Sequence, residues 1–435
     1  MKTFLLKLFW IIGAKIRNPN LLILYKELKN TQKYTLLQLE ELQYKKIKET
    51  LLFAQKYSDF YRSRFAEVLF NPETDFNTIV DINKVPAITK ADLLKYNTDI
   101  HTNNRFKKVF KSETSGTSGQ VLKFDKDEYW DSFNRAAIMR GYSWHGVKIW
   151  EKNGYFWGYN INAKKRLKVR IQDLLQNRFR LFSYDESGIR DFVKKLKSAR
   201  YLSGYSSMIY EVAKIINREK IDTKSFRLKM IKGTSEKIFD SYQSEVQKAF
   251  GLKIISEYGA AESGIIAFEC THGQMHINME GVYVEEDNGE IIVTNLMARS
   301  FPVIRYKLGD YITLKPKEFK CSCGMHHLII ESVTGRVGKL VIGKEKKYPS
   351  LTFYYVFKNL AIVNKLELNY QAHQYEKGNL KLLIEQELDS AQNGLLQQEF
   401  FKYFGRDIVV EITDKAVLHH KDGKLKDFIS HIDNL

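Results

Sequence analysis

Between residues 189 and 257 the sequence alternates helix-type and strand-type segments at short intervals. A helix near 189–199 is followed by a strand near 201–204 and a helix near 206–218. A strand near 228–232, a helix near 235–250 and a strand at 253–257 come next. Strands that alternate with helices are joined by crossovers, and crossovers build a mostly parallel sheet covered by helices. The fold class is therefore α/β. From 275 to 334 the pattern turns to β-rich hairpins, and VYVEEDNGEIIVTNL turns at Asp287-Asn288-Gly289. After Gly335 a third pattern begins: a strand, a turn at Lys377-Gly378-Asn379, a strand, a helix near 389–403 and the strand IVVEIT. That stretch, of roughly 100 residues, has the size of a small α+β domain. The expected division is a large domain at 1–336, with a helical extension at 1–35, and a small C-terminal domain at 337–435.

Upstream, Leu36, Leu39, Leu42, Ile47 and Leu51 recur at helical spacing, and Ala54 and Phe60 continue it, which predicts a helix over 35–65. VPAITKADL (85–93) predicts a short extended piece and then a helix capped by Thr89, with Asp92 as the acid three residues on. VFKSETSGTSGQVLKF (109–124) predicts strand, small-residue loop, strand, and 127–149 predicts a helix.

A hydrophobic fraction of 44% excludes disordered, collagen-like and disulfide-scaffold classes. Lys+Arg 69 against Asp+Glu 51 gives a net charge of +18, which favours anionic partners. No arginine-rich arm, zinc-finger spacing or helix-turn-helix signal accompanies the lysines, so nucleic acid is not the expected partner. Three cysteines suit a reducing compartment.

Residues 3–13 (TFLLKLFWIIG) are apolar apart from Thr3 and Lys7. About 20 apolar residues are needed to span a bilayer, so the segment is too short. No small-x-small cleavage site follows it. Two readings remain: a helix in the membrane interface, with lysines at lipid phosphates, or a helix packed on the protein itself. The expected location is the cytoplasm, at the inner membrane face if the first reading holds.

Ser112-Glu113-Thr114-Ser115-Gly116-Thr117-Ser118-Gly119 puts five hydroxyl side chains and two glycines into eight residues. Glycines let a ligand approach the backbone N–H groups, and hydroxyls add donors there. No Gly-Lys-Ser/Thr closes the loop, so it is not a Walker loop. Taken alone it also fits a polar surface turn. Further segments follow in order: KGTSEKI around Glu236, IISEYGAAESG with Tyr258, Gly259 and Glu262, and FECTHGQMH. VIRYKLGD with Asp310, TGR with Arg336, and DGKLKDF with Lys424 complete the series.

Together these segments resemble the adenylate-forming superfamily of acyl-CoA synthetases. Within it they are most similar to phenylacetate–CoA ligases and their relatives from capsular polysaccharide biosynthesis clusters, CapK-like proteins. The resemblance runs from about residue 39 to 430. Gln120-Val121 replaces the family's usual Lys-Pro, and Lys426-Asp427 stands where the family often has arginine. It implies an AMP-forming carboxylate ligase with a large domain and a mobile C-terminal lid, hinged near Gly338. A carboxylate attacks the α-phosphate of ATP, pyrophosphate leaves, and the acyl-adenylate passes its acyl group to coenzyme A or to an amine. The resemblance implies that residues 112–119 hold phosphates and that Glu236, Tyr258 and Gly259 line the nucleotide. Glu262 would hold Mg²⁺, Asp310 the ribose hydroxyls, and Arg336 ribose or phosphate. Lys424 would bridge carboxylate and α-phosphate. The acid pocket is expected between Trp144 and Trp157 and around Gly204-Tyr205-Ser206. The rival class is a binding protein that kept the fold without the chemistry.

All three cysteines fall in two short segments, Cys270 in FECTHGQMH and Cys321 and Cys323 in CSCGMHH, with His272, His276, His326 and His327 beside them. Four such ligands suit tetrahedral Zn²⁺, and the competing reading is three thiols beside chance histidines. The resemblance implies a structural zinc on Cys270, His276, Cys321 and Cys323.

Overall fold

The computed structural model describes residues 2–114, 122–156, 163–181, 186–234, 238–336, 340–421 and 424–432. The chain divides into two compact units, Met1–Glu151 with Ser256–Val333, and Lys152–Ile255 with Thr334–Leu435.

The first unit is built on hairpins. Its strands lie in the order Val282–Asp287, Glu290–Asn295, Tyr306–Leu314, Ile329–Arg336, Met275–Ile277, Gly264–Glu269 and Ile254–Ala260. Asn288 and Gly289 take positive φ (51° and 83°), as a tight hairpin turn requires. The helix Leu36–Tyr57 starts at a capping box in which Thr35 and Gln38 satisfy each other's backbone N–H groups. It stops earlier than the periodicity predicts. Ser58 is extended (φ −115°, ψ 122°), its hydroxyl donates to the Asp99 carbonyl at 2.9 Å, and a second helix runs Asp59–Glu67. Thr89 and Asp92 form the expected capping box. The extended piece before them is held beside the strand Tyr306–Leu314 by Ile88 N–H to Arg305 O and Lys307 N–H to Ile88 O, both 2.9 Å.

The helix Glu128–Trp144 begins at Asp127, whose buried carboxylate collects donors from two places. Oδ1 accepts from Trp130 N at 3.0 Å, and Oδ2 accepts from Arg299 N, Ser300 N and Ser300 Oγ at 3.1–3.2 Å. One carboxylate thus caps the helix and fixes the loop that leads toward Asp310.

In the second unit the strands Met230–Thr234, Tyr201–Tyr205, Asn153–Phe156 and Arg178–Arg180 pair in parallel in that order; the first two fall where the helix–strand alternation predicts strands, and the other two precede it. A smaller mixed sheet has the order Val409–Thr413, Asn379–Ile384, Tyr370–Glu376 and Phe428–Ser430. The helices Ala163–Leu175 and Leu351–Asn364 were not anticipated. Leu351–Asn364 (LTFYYVFKNLAIVN) is apolar nearly throughout, so it shows no amphipathic period. Phe353, Val356, Phe357 and Leu360 are buried in one core with Tyr370 and Phe400.

Candidate active site and metal centre

Ser112 lies on the strand Val109–Glu113, opposite Phe124 of the strand Lys123–Asp127. Thr114 closes that hairpin. Its N–H donates to Leu122 O at 2.9 Å, and its hydroxyl accepts from Leu122 N at 3.0 Å. The hairpin base is therefore fixed on both sides. Ser115, Gly116, Thr117, Ser118 and Gly119 lie outside the described residues, as do Glu236, Trp157 and Gly338.

Tyr258 and Gly259 sit on the strand Ile254–Ala260, with a register shift between them against Gly264–Glu269. Glu262 is in the connecting turn. A Cβ on Gly259 would meet Gly264 O at 2.3 Å, and Gly264 has φ +79°, so both glycines are needed for this close return. Glu262 is 6% exposed. Its Oε1 accepts from the Tyr306 hydroxyl at 3.1 Å. Asn295 Nδ2 donates to the carbonyls of Glu262 and Ser263 at 3.3 and 3.1 Å and pins the turn from below. Asp310, on the strand Tyr306–Leu314, accepts from the Tyr258 hydroxyl at 2.9 Å. Two hydrogen-bonded pairs, Tyr258–Asp310 and Tyr306–Glu262, therefore tie the strand Ile254–Ala260 and its turn to the strand Tyr306–Leu314. Burial pulls the Lys126 ammonium below its ordinary range, while Asp131 and Glu262 act to keep it charged.

Arg336 ends the strand Ile329–Arg336. Lys424 opens the two-residue strand Lys424–Leu425, which pairs antiparallel with His420–Lys421. Trp144 is committed to packing. Its ring lies 5.8 Å from Phe268 and 6.3 Å from His276, and it packs, partly buried, against the cluster of Cys270 and Cys321. Tyr205 is 5% exposed and Ser206 fully buried.

Cys270, His276, Cys321 and Cys323 come together, with one ligand atom from each and all of these within 4.8 Å of one another. Cys270 Sγ and Cys321 Sγ are 3.8 Å apart, and Cys323 Sγ is 3.2 Å from His276 Nε2. The two contributing turns share one geometry. In each, the glycine three residues after the first cysteine has positive φ (Gly273 +73°, Gly324 +83°). That glycine's N–H donates to the cysteine carbonyl at 3.0 Å. The N–H two residues on donates to the sulfur, His272 N to Cys270 Sγ at 3.4 Å and Cys323 N to Cys321 Sγ at 3.5 Å. His276 Nδ1 lies 3.2 Å from the His327 carbonyl, which fixes Nδ1–H as the donor and leaves the Nε2 lone pair facing the sulfurs. Burial, together with the neighbouring thiols, pushes the Cys323 thiol up to about 12.

No family model matches the sequence. Protein CapK of Staphylococcus aureus is 26% identical over 336 residues, which span 74% of this chain and 73% of that protein. Phenylacetate-coenzyme A ligase of Pseudomonas putida is 24% identical over 430 residues, 89% of this chain and 92% of that one. The solved structure of a 2-hydroxyisobutyryl-CoA ligase in the postadenylation state, in complex with R3-HIB-AMP, superposes with a TM-score of 0.71 at 14% identity, covering 93% and 92% of the two chains. The chain has the fold of the adenylate-forming, acyl-CoA synthetase-like enzymes and is similar in sequence to CapK and to phenylacetate-coenzyme A ligase.

Within this adenylate-forming fold, the sequence reading missed the residues that hold the site in place. Asn295, Tyr306 and Asp127 orient the turn, the acid and the helix, yet each is an ordinary strand or cap residue by type. Only their hydrogen-bond partners, 33 to 173 residues away, reveal them. Among the described residues no helix is long and apolar enough to cross a membrane.

Proposed function

We propose that the protein activates a carboxylic acid with ATP and transfers the acyl group to coenzyme A. The observation that carries this reading is that Asp310, held by the Tyr258 hydroxyl, and Glu262, held by the Tyr306 hydroxyl, are brought together by the turn after Ile254–Ala260 and the strand Tyr306–Leu314. The substrate carboxylate attacks the α-phosphorus of ATP. A carboxyl O–P bond forms, the bond to the bridging oxygen of pyrophosphate breaks, and pyrophosphate leaves. The coenzyme A thiol then gives up its proton, its sulfur attacks the acyl carbon, and AMP leaves.

Catalysis of the first step needs positioning and positive charge around crowded phosphates. Residues 112–119 hold phosphate oxygens through backbone N–H and hydroxyl groups, and Asp310 accepts from the ribose hydroxyls. Lys424 bridges substrate carboxylate and α-phosphate, a task that suits an ammonium on a flexible stem. Arg336, Glu236, Tyr258 and Gly259 contact the nucleotide. Tyr306 engages Glu262 Oε1, and the remaining carboxylate oxygen is a hard donor suited to Mg²⁺. Mg²⁺ would neutralise phosphate charge there.

Residues 337–435 act as the lid that rotates between the two steps. The segments now packed together in the second unit set what that rotation must break. Lys214 pairs with Glu385, and Phe239 meets Tyr370 edge-on at 5.8 Å.

The cysteine cluster fits structural Zn²⁺. Three sulfurs and one imidazole nitrogen converge, two backbone N–H groups face sulfur, and the imidazole is oriented by a carbonyl. With four protein ligands the metal would have no open position, so it would staple two hairpins and take no part in acyl transfer.

The helix Lys2–Arg17 supports contact with an anionic lipid surface. Trp10 and Ala14 face the protein, and Trp10 packs 5.5 Å from Trp150. On the opposite face Leu8, Phe9, Ile12 and Ile16 are 44–72% exposed. No acidic side chain precedes Glu27, whereas Lys2, Lys7, Lys15, Arg17 and Lys26 do.

The deciding experiment is pyrophosphate release across aryl, fatty, amino and sugar acids, with coenzyme A, with amines, or with neither. Acid-dependent release with thioester formation is expected. Release that yields product only with an amine would move the acceptor to the amide class. Folded protein that binds neither ATP nor AMP would leave only the non-catalytic reading.

A further inference from the structure

The hairpin that carries Lys424 is very short. Its ladder consists of His420 opposite Leu425 and Lys421 opposite Lys424. A two-stranded hairpin of that length does not hold itself in place in water. Its position has to be imposed from outside.

One side chain does this. Gln371 lies on the strand Tyr370–Glu376, between Asn379–Ile384 and Phe428–Ser430, and is fully buried. A buried carboxamide is costly unless its donors and acceptor are matched. Here they are matched. Nε2 donates to His419 O at 2.8 Å and to Lys426 O at 3.0 Å. Oε1 accepts from His419 N at 2.9 Å and lies 3.1 Å from His373 Nε2. Three of these four bonds go to main chain, and they grip the residue just before the hairpin and the residue just after it. The neighbouring ladder continues the hold, since Ala372 N donates to Asp427 O at 2.8 Å.

The orientation of the carboxamide is itself fixed. His373 Nδ1 lies 3.1 Å from His431 Nε2. With His431 donating through Nε2–H, His373 accepts at Nδ1 and donates from Nε2–H to Gln371 Oε1. That leaves Gln371 Nε2 facing both carbonyls, and no atom of the amide is mismatched.

We propose that Gln371 is the positioning residue for Lys424, clamping the base of its hairpin so that the ammonium returns to one place each time adenylation occurs. The proposal rests on the reading of Lys424 as the adenylation lysine. All of the clamp's members follow residue 337, so it would travel with the hairpin when residues 337–435 rotate.

The test separates the two half-reactions. Gln371→Met keeps the length and shape of the side chain and loses its hydrogen bonds. Displacing a catalytic group by about 1 Å costs about 10²-fold, so adenylation kcat should fall by between about 10- and 100-fold. The KM for ATP and thioester formation from preformed acyl-adenylate should each change less than about 3-fold. In a Lys424→Ala background, Gln371→Met should add nothing, because there is no ammonium left to position. Adenylation at the wild-type rate in folded Gln371→Met, equal losses in both half-reactions, or additive losses with Lys424→Ala would each overturn the clamp. If Gln371→Met does not fold, His373→Ala decides. It removes one bond to Oε1 and should give a smaller loss confined to adenylation, and an equal loss in both steps overturns the proposal. Normal adenylation by Lys424→Ala alone would instead overturn the reading of the lysine, whatever Gln371→Met does.

Discussion

The Tyr258 hydroxyl donates to Asp310 Oδ2 at 2.9 Å, so the carboxylate assigned to ribose is already aimed by a neighbour on another strand. A carboxylate has two acceptor oxygens and can keep this bond while taking others. Asp310→Ala should weaken ATP binding about 10- to 100-fold, the range of a lost hydrogen bond to a charged group. Tyr258→Phe should weaken it less, because Asp310 stays charged and present. Calorimetric titration with ATP and Mg²⁺ checks both. Unchanged binding by Asp310→Ala would remove this residue from the nucleotide site.

Lys424→Ala should cut acyl-adenylate formation by about 10²–10³-fold, the usual cost of losing stabilisation of developing charge. ATP binding should change little. Thioester formation from preformed acyl-adenylate should survive. The opposite pattern, normal adenylation with failed transfer, would send the search for the adenylation lysine to Lys421 and Lys426.

Elemental analysis should find about one zinc per chain, as a closed four-ligand site requires. Cys321→Ser should lower both zinc content and melting temperature, and strong chelation should reproduce the melting shift in wild-type protein. A metal-free preparation that melts like the metal-loaded one would mean that the thiols only pack.

Glu280 links the cysteine cluster to the core through His327, whose ring faces Glu280 Oε1 at 3.1 Å and whose carbonyl faces His276. Burial acts to raise its carboxyl, but the Arg140 guanidinium and His327 hold it well below the usual carboxylate range. Lys46 donates to its backbone carbonyl at 2.8 Å, and burial lowers that ammonium to about 8. Glu280→Ala should cost about 3–5 kcal/mol in chemical denaturation, because it strands buried Arg140. The pH sign follows from the depressed carboxyl. Its stabilisation is fully present above the unfolded value of about 4.3 and is lost as pH falls below it toward the folded value. Glu280→Gln should therefore lose stability less steeply than wild type on acidification. Parallel acid profiles would show that Glu280 does not contribute this way.

Vesicles that contain anionic lipid should sediment the protein at low salt, and neutral vesicles should not. Ile12→Glu with Ile16→Glu should abolish that binding and leave pyrophosphate release intact. Equal binding by the double variant would clear this face of a lipid role, and a concentration-dependent shift in mass abolished by the same variant would identify a second copy of the chain as its partner.

The architecture was legible where period and caps agree. The alternation over 189–257 gave the parallel strands Tyr201–Tyr205 and Met230–Thr234, and Thr89 with Asp92 gave a helix start to the residue. Leu351–Asn364 was not legible, because apolar residues run through nearly the whole segment and the buried stripe of Phe353, Val356, Phe357 and Leu360 does not stand out from them. The break at Ser58 was missed because Leu36–Tyr57 and Asp59–Glu67 follow each other without glycine or proline, and the turn is set by a hydroxyl reaching Asp99. The cysteine cluster was legible because thiols are rare in this chain and fall in two places. Gln371 was not, since a glutamine in a strand carries no signal until its partners His419, Lys426 and His373 are known.

The paired Cys-x-x-Gly turns have a consequence for the unfolded chain. Cys270 and Cys321 are 51 residues apart, and the strand that bears Asp310 lies inside that interval. A metal shared by the two turns closes the interval into a ring, much as a covalent cross-link does. By the chain-entropy account of such links, a ring of this size is worth about 4 kcal/mol. Local opening of Tyr306–Leu314, read as amide hydrogen exchange, would then depend on metal bound at the far end of the ring. Nucleotide affinity would thus be sensitive to thiol oxidation at a site that touches neither ATP nor the acid.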